Sequence, residues 1–297
     1  MPAGQGVVGR HENSAYDTEI SWYGYLVHRP SYLRRIAGLF RSHPVVAILG
    51  PRQCGKTTLA QQYARQGASP RGTTFLDLED PTQLALLENP MLALGELKGM
   101  VVLDEIQRRP DLFPVLRVLV DRDRRKRRFL ILGSASRDLI RQGSESLAGR
   151  IAFLELTPFS SSEASDVRRL WTRGGFPPSF LAPSSRASAD WRKSYISTFL
   201  ERDVPALGIN VPPRSLRRFW MMLAHYHGQI LNLSELGRSL GISDTTARRY
   251  LDVLAGTFMV RQLQPWHENI GKRQVKSPKI YFRDSGIFHS LLGVEHE

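Results

Sequence analysis

Val45-Val46-Ala47-Ile48-Leu49-Gly50-Pro51-Arg52-Gln53-Cys54-Gly55-Lys56-Thr57-Thr58 decides the reading of this chain. Five aliphatic residues, most of them β-branched, read as a buried strand. The strand runs into a loop of the form G-x-x-x-x-G-K-[ST], and helical spacing resumes over Thr58–Gln66. The spacing has a mechanical purpose: glycines let successive backbone N–H groups turn inward around a phosphate, and the helix N-terminus adds partial positive charge. Lys56 then reaches the β- and γ-oxygens, while the Thr57 hydroxyl meets the Mg²⁺ that arrives with a nucleoside triphosphate. Gly50, Pro51, Arg52, Gln53, Cys54, Gly55, Lys56, Thr57 and Thr58 are the predicted nucleotide-binding residues, with ATP and Mg²⁺ as the expected cofactors.

Four more short apolar runs follow at Thr73–Asp77, Met100–Asp104, Phe129–Gly133 and Ile151–Leu156, separated by helical spacings. Continuous apolar strands alternating with helices predict an α/β core whose parallel sheet is covered on both faces. The run Met100–Leu103 ends in Asp104-Glu105, which places two acids at the sheet edge where open α/β folds bind ligands. Asp104 is expected to hold the metal, together with Thr57, and Glu105 to polarise an attacking water. Phosphotransfer to a small molecule has no evident need of that second acid, so the pair favours hydrolysis.

The chain has 297 residues and a formal net charge of +13. One cysteine, Cys54, excludes an intrachain disulfide and a four-cysteine metal site. No run approaches the ~20 apolar residues that span a bilayer, and the polar start lacks a signal-peptide pattern. A cytoplasmic protein without a membrane partner is the expectation. The excess positive charge points to a polyanionic partner.

Gly50–Thr57, Leu103-Asp104-Glu105-Ile106-Gln107, Leu132-Gly133-Ser134, and Ser146-Leu147-Ala148-Gly149-Arg150 ahead of Leu154–Phe159 form one set of motifs. Gly174-Gly175-Phe176-Pro177, Glu201-Arg202-Asp203-Val204 and Lys276–Gly286 form a second. Together they resemble the AAA-type ATPase family (AAA_14-like) whose members join this core to a domain of unknown function designated 4143. The resemblance implies an additional-strand sheet, in which the strand bearing the Asp-Glu pair is not adjacent to the phosphate-loop strand. It also implies that Ser134 senses the γ-phosphate, although Leu132 stands where relatives show Thr, leaving Ser134 or Ser136 alone for the task. Arg150 resembles an arginine finger projected into a neighbouring copy, which implies a homo-oligomer; the alternative is an arginine that caps the preceding helix. Arg202 resembles a lid arginine, with an ion pair to Asp203 or Glu201 as the alternative. Glu105, Lys56, Arg150 and Ser134 are thus the expected catalytic set. Relatives continue into a segment similar to restriction-type nucleases, so residues 286–297 read as the stub of a truncated domain, with Ile287, Phe288, Leu291 and Leu292 forming an exposed apolar patch and no nuclease activity to be expected.

Between residues 214 and 283 there are 12 Lys and Arg against 4 Asp and Glu, a net of +8. A helix capped by Ser234, a turn at Gly241 and a second helix Asp244–Leu254 capped by Ser243 predict a helix-turn-helix. The runs Phe258–Leu263 and Lys279–Phe282 supply a wing. Thr245, Thr246, Arg248 and Arg249 are expected to face outward towards DNA, with Lys272, Arg273, Lys276 and Lys279 along the wing. The alternative is a nucleotide-gated switch whose winged helix binds protein. The expected order is a poorly ordered lead-in (1–28), ATPase core (29–158), helical lid (159–212), winged helix (213–285) and stub (286–297).

Overall fold

The computed structural model describes residues 27–67, 69–122, 127–134, 143–265 and 277–294. Five strands, β1 (Val45–Gly50), β2 (Thr73–Asp77), β3 (Gly99–Asp104), β4 (Arg127–Ser134) and β5 (Ile151–Glu155), form a parallel sheet in the order β2-β3-β4-β1-β5. β4 lies between β3 and β1, the additional-strand arrangement that the resemblance implies.

The apolar runs explain the layering. Side chains alternate across a strand, so β1 sends Val45, Ala47 and Leu49 to one core and Val46 and Ile48 to the other. β3 and β4 divide likewise, Val101, Leu103, Phe129 and Ile131 against Met100, Val102, Leu130 and Leu132. Helix α1 (Pro30–Ser42) covers one face with Leu33, Ile36 and Phe40 at helical spacing, beside α2 (Lys56–Arg65). Helix α3 (Leu112–Arg122) covers the other. In the basic run at residues 122–128, residues 123–126 lie outside the described residues, and Arg127 opens β4 with its guanidinium on the Leu94 and Gly95 carbonyls.

The C-terminal half packs around one buried cluster from Phe176 to Leu291. Helix α4 (Ser185–Thr198) runs on into a π-helix, Phe199–Asp203. After α5 (Pro213–Ala224) come α6 (Leu233–Leu240) and α7 (Asp244–Gly256), joined at left-handed Gly241, then an antiparallel pair, β6 (Val260–Leu263) and β7 (Lys279–Phe282). Ser243 caps α7 as expected, but α6 is capped by Asn232, whose Oδ1 accepts from Glu235 N, while Ser234 Oγ donates to Asp244. The expected apolar patch at the C-terminus is also corrected. Ile287 and Leu291 of α8 (Ser285–Leu292) are buried and Phe288 packs beside them, because Asp284 caps the helix and also accepts from Gly175 N. His227 takes a structural place among Tyr281, Phe282 and Phe288, its Nδ1 accepting from Phe282 N, and burial lowers its pKa. Among the described residues no helix is long and apolar enough to cross a membrane.

A buried ion pair ties α1 to the chain after β5. Arg29 donates to both oxygens of Glu163 (2.6 and 2.9 Å), to Thr157 O and to Cys54 O. Both side chains are about 95% buried. Burial alone would raise the Glu163 pKa, but Arg29 and the Ser160 donors outweigh it and hold the carboxyl below its usual range. Replacing Glu163 with Ala strands a buried guanidinium, so the loss expected in urea denaturation is about 3–5 kcal/mol. A depressed carboxylate pKa contributes stability above the unfolded value of ~4.3 that disappears as pH falls through the folded value. The difference in stability between the two proteins should therefore shrink on the acid side.

Candidate nucleotide site

The parallel register brings the functional groups to one edge. Gly50 lies opposite Ser134, and Asp77 opposite Asp104. A Cβ at Gly50 would overlap the Leu156 carbonyl oxygen, and Gly55 holds φ 93°, so the two motif glycines fix the loop where it leaves β1 and enters α2. Cys54 beneath them is fully buried and burial raises its pKa, which makes the thiol inert.

The loop has the chemistry of an anion site. No side chain caps the N-terminus of α2, and its positive end therefore faces the loop. Lys56 is only 6% exposed, and its ammonium donates to Gly50 O (3.2 Å) and Pro51 O (2.9 Å). Beside it the Thr57 hydroxyl donates to Asp104 Oδ2 at 2.6 Å. Burial, with the adjacent Glu105 charge, raises the Asp104 pKa against the lowering effect of Thr57 and Lys56. A hydroxyl and a desolvated carboxylate in contact are hard oxygen donors suited to Mg²⁺.

Glu105 has φ 53°, a left-handed conformation that is uncommon outside glycine and costs energy. The sharp turn lets Gln107 reach back: its Nε2 donates both to Glu105 and to Ser134 Oγ (3.0 Å). The sequence-predicted base and sensor are thus joined by a residue to which the sequence reading gave no role. A cleft of about 350 Å³ opens here, bounded by Gly50, Gln107 and Ser134 on the core side and by Tyr195, Phe199 and Asp203 on the other.

Arg52 projects from the loop into this cleft. It donates to Glu79 (2.6 Å) and Asp203 (2.9 Å) and lies 3.9 Å from Glu105. Burial would lower its pKa, but these three carboxylates raise it. Glu79 and Tyr195, whose hydroxyl donates to Arg52 O at 3.5 Å, escaped sequence reading, in which Asp203 is expected only as a partner of Arg202. Within Glu201-Arg202-Asp203 it is the acid that faces the loop; Arg202 is exposed and pairs with Asp203, the blander of its two readings.

Arg150 stands apart. It precedes β5, where its carbonyl accepts from Val45 N at the start of β1, and at about 3.3 Å per residue β1 separates it from its own loop by roughly 17 Å. Its guanidinium pairs with Asp121 and donates to Ala148 O. On α7, Thr245, Arg248 and Arg249 are exposed and Thr246 half-buried. The two threonine hydroxyls bond Ser243, and Arg249 donates to Asn210 O. Ser136, Lys272, Arg273 and Lys276 lie outside the described residues.

Known proteins carry the same two parts. Residues 42–165 match the family model described as AAA domain, and residues 164–297 match Domain of unknown function (DUF8612), where the sequence resemblance named the domain designated 4143. Two uncharacterized proteins, Mb2031c of Mycobacterium bovis and Rv2008c of Mycobacterium tuberculosis, are each 53% identical over 287 residues, 96% of this chain and 64% of theirs. The chain therefore spans just under two thirds of these relatives. The Walker-type ATPase PABY2304 of Pyrococcus abyssi has a similar fold, with a TM-score of 0.59 and 15% identity over 89% of this chain and 95% of its own. With the loop, the acids and the strand order in place, residues 42–165 match the AAA-type P-loop ATPase family in motif and fold, and the chain continues into a domain whose function is unknown.

Proposed function

We propose that this chain binds ATP with Mg²⁺ at Gly50–Thr58 and hydrolyses it. The observation that carries the reading is the buried Lys56 ammonium at the uncapped start of α2, with Thr57–Asp104 and Glu105 beside it. Lys56 would leave two carbonyls of its own loop for phosphate oxygens. Mg²⁺ would neutralise phosphate charge there, and Thr57 and Asp104 are the residues that would hold it. Glu105, oriented by Gln107, accepts the proton of the attacking water. The water oxygen bonds to the γ-phosphorus as its bond to the β–γ bridging oxygen breaks. The electron pair leaves with ADP, and the proton passes from Glu105 to solvent or phosphate. Ser134 contacts the γ-phosphate. Arg150, remote from its own loop, serves a neighbouring copy's site, which makes assembly part of the reading.

For the C-terminal half we infer a winged helix, with α6 and α7 as its helix pair and β6–β7 as the wing. The exposed Arg248 favours DNA phosphates over the alternative of a protein partner, since the other polar groups of that face already bond within the chain.

Three outcomes test these assignments. Lys56→Ala should abolish ATP binding in calorimetry, whereas Glu105→Gln should bind ATP and lose turnover by roughly 10²-fold or more; unchanged hydrolysis in the latter refutes the base. Specific ATPase activity should rise with protein concentration and lose that rise in Arg150→Ala, and a flat dependence in the unsubstituted protein removes the trans role. Duplex DNA affinity should fall steeply as salt is raised, and Arg248→Glu should weaken it further and flatten the salt slope; absence of salt-sensitive binding transfers the face to a protein partner.

A further inference from the structure

Arg52 is the third residue of the phosphate loop, and the nucleotide reading leaves its charge unexplained. Backbone donors wrap phosphates, so a loop residue at this position needs no side chain for that task. Instead its guanidinium sits in the cleft between Glu79, Glu105 and Asp203, 20% exposed. Asp203 comes from the C-terminal half, 151 residues away, at the end of the π-helix Phe199–Asp203. Such one-turn interruptions are frequent at functional sites.

Three contacts frame where this charge can act. Arg52 Nη2 lies 3.9 Å from Glu105 Oε1, the group that takes the proton of the attacking water. Lys56 is bonded to the carbonyls of Gly50 and Pro51, immediately before Arg52. Gly50 pairs with Ser134 in the sheet, on the core side of the same cleft. A phosphoryl group attacked by a Glu105-bound water, held by Lys56 and read by Ser134, would therefore share the cleft that the Arg52 guanidinium lines. It would also be the strongest acceptor on offer, because its doubly charged oxygens outcompete single carboxylates for a bidentate donor.

We propose that Arg52 is a catalytic arginine carried by the phosphate loop itself: it leaves Asp203 and Glu79 for the terminal phosphoryl oxygens of the nucleotide bound in the same chain, and thereby releases the C-terminal half. The proposal rests on the ATPase reading. Arg52 exchanges no proton in the step; it offsets charge on the equatorial oxygens as the water–phosphorus bond forms and the bridging bond breaks. It is distinct from Arg150, which lies at the opposite end of β1.

The experiment compares unsubstituted protein with Arg52→Ala and Asp203→Asn, using ATP, ADP and Mg²⁺. Arg52→Ala should lower kcat by about 10²–10³-fold, the usual effect of removing one transition-state donor, with ADP affinity unchanged and no rescue on mixing with Lys56→Ala chains, which carry an intact Arg52 but bind no nucleotide. Rescue by mixing would show that Arg52 acts on a neighbour, and an unchanged kcat would show that it takes no part in the step; either overturns the proposal. Asp203→Asn, which removes the competing charge, should tighten binding of a non-hydrolysable ATP analogue several-fold relative to ADP, and equal effects on the two nucleotides would also overturn it. This selectivity reads Arg52 even if Arg52→Ala does not fold. If the unsubstituted protein hydrolyses no ATP, the ATPase reading fails separately, and preferential loss of the ATP analogue over ADP in Arg52→Ala still decides whether Arg52 meets the third phosphate.

Discussion

A buried positive charge whose hydrogen bonds go to carbonyls organises the site. Burying an ammonium is costly unless it is paired, and Lys56 is held by two carbonyls of the loop it belongs to. Those carbonyls are available only because Gly55 turns left-handed and Gly50 packs against the Leu156 carbonyl. The loop, in turn, is anchored from below by Arg29, which bonds Cys54 O while gripping Glu163. A chain that keeps a charge in this condition gains most when an anion arrives, and that is the physical content of a phosphate site.

The sheet sets where that gain is used. Since β4 separates β1 from β3, the acids Asp104 and Glu105 approach the loop from two strands away, leaving room between them for Ser134 and the bridging Gln107. The strained backbone at Glu105 belongs to the same geometry: turning out of β3 through φ 53° lets Gln107 fold back onto the carboxylate.

Much of this was legible in the sequence because it is local. A glycine pattern following five aliphatic residues, and two acids following four, are spaced within single elements, and the buried strands then had to assemble as a covered parallel sheet. Asn232 in place of Ser234 as the α6 cap is a slip of two residues among several capping-competent side chains. The docking of α8 was missed for another reason: eight residues with four apolar side chains read equally well as exposed or covered, and what decides is Asp284 bonding Gly175 across 109 residues. The Arg52–Asp203 and Arg29–Glu163 pairs span 151 and 134 residues, and no periodicity in a sequence reports a contact of that range.

The contrast between the interior of the C-terminal half and its approach to the loop bears on how the molecule can move. From Phe176 to Leu291 its elements share a single apolar cluster, and close-packed cores resist gradual deformation. Where it meets the phosphate loop, however, the contacts include the Arg52–Asp203 ion pair and the Tyr195 hydroxyl on Arg52 O, with Arg283 on Glu155 further along the edge and Phe258 against the core's apolar cluster. Polar pairs of this kind can be exchanged for other polar partners at small net cost, whereas an apolar seam would have to be exposed to water. A half that shares one core and meets the loop in part through exchangeable charges is built to shift as a unit, and in the proposed role the loop's own arginine is the group through which a bound phosphate would reach it.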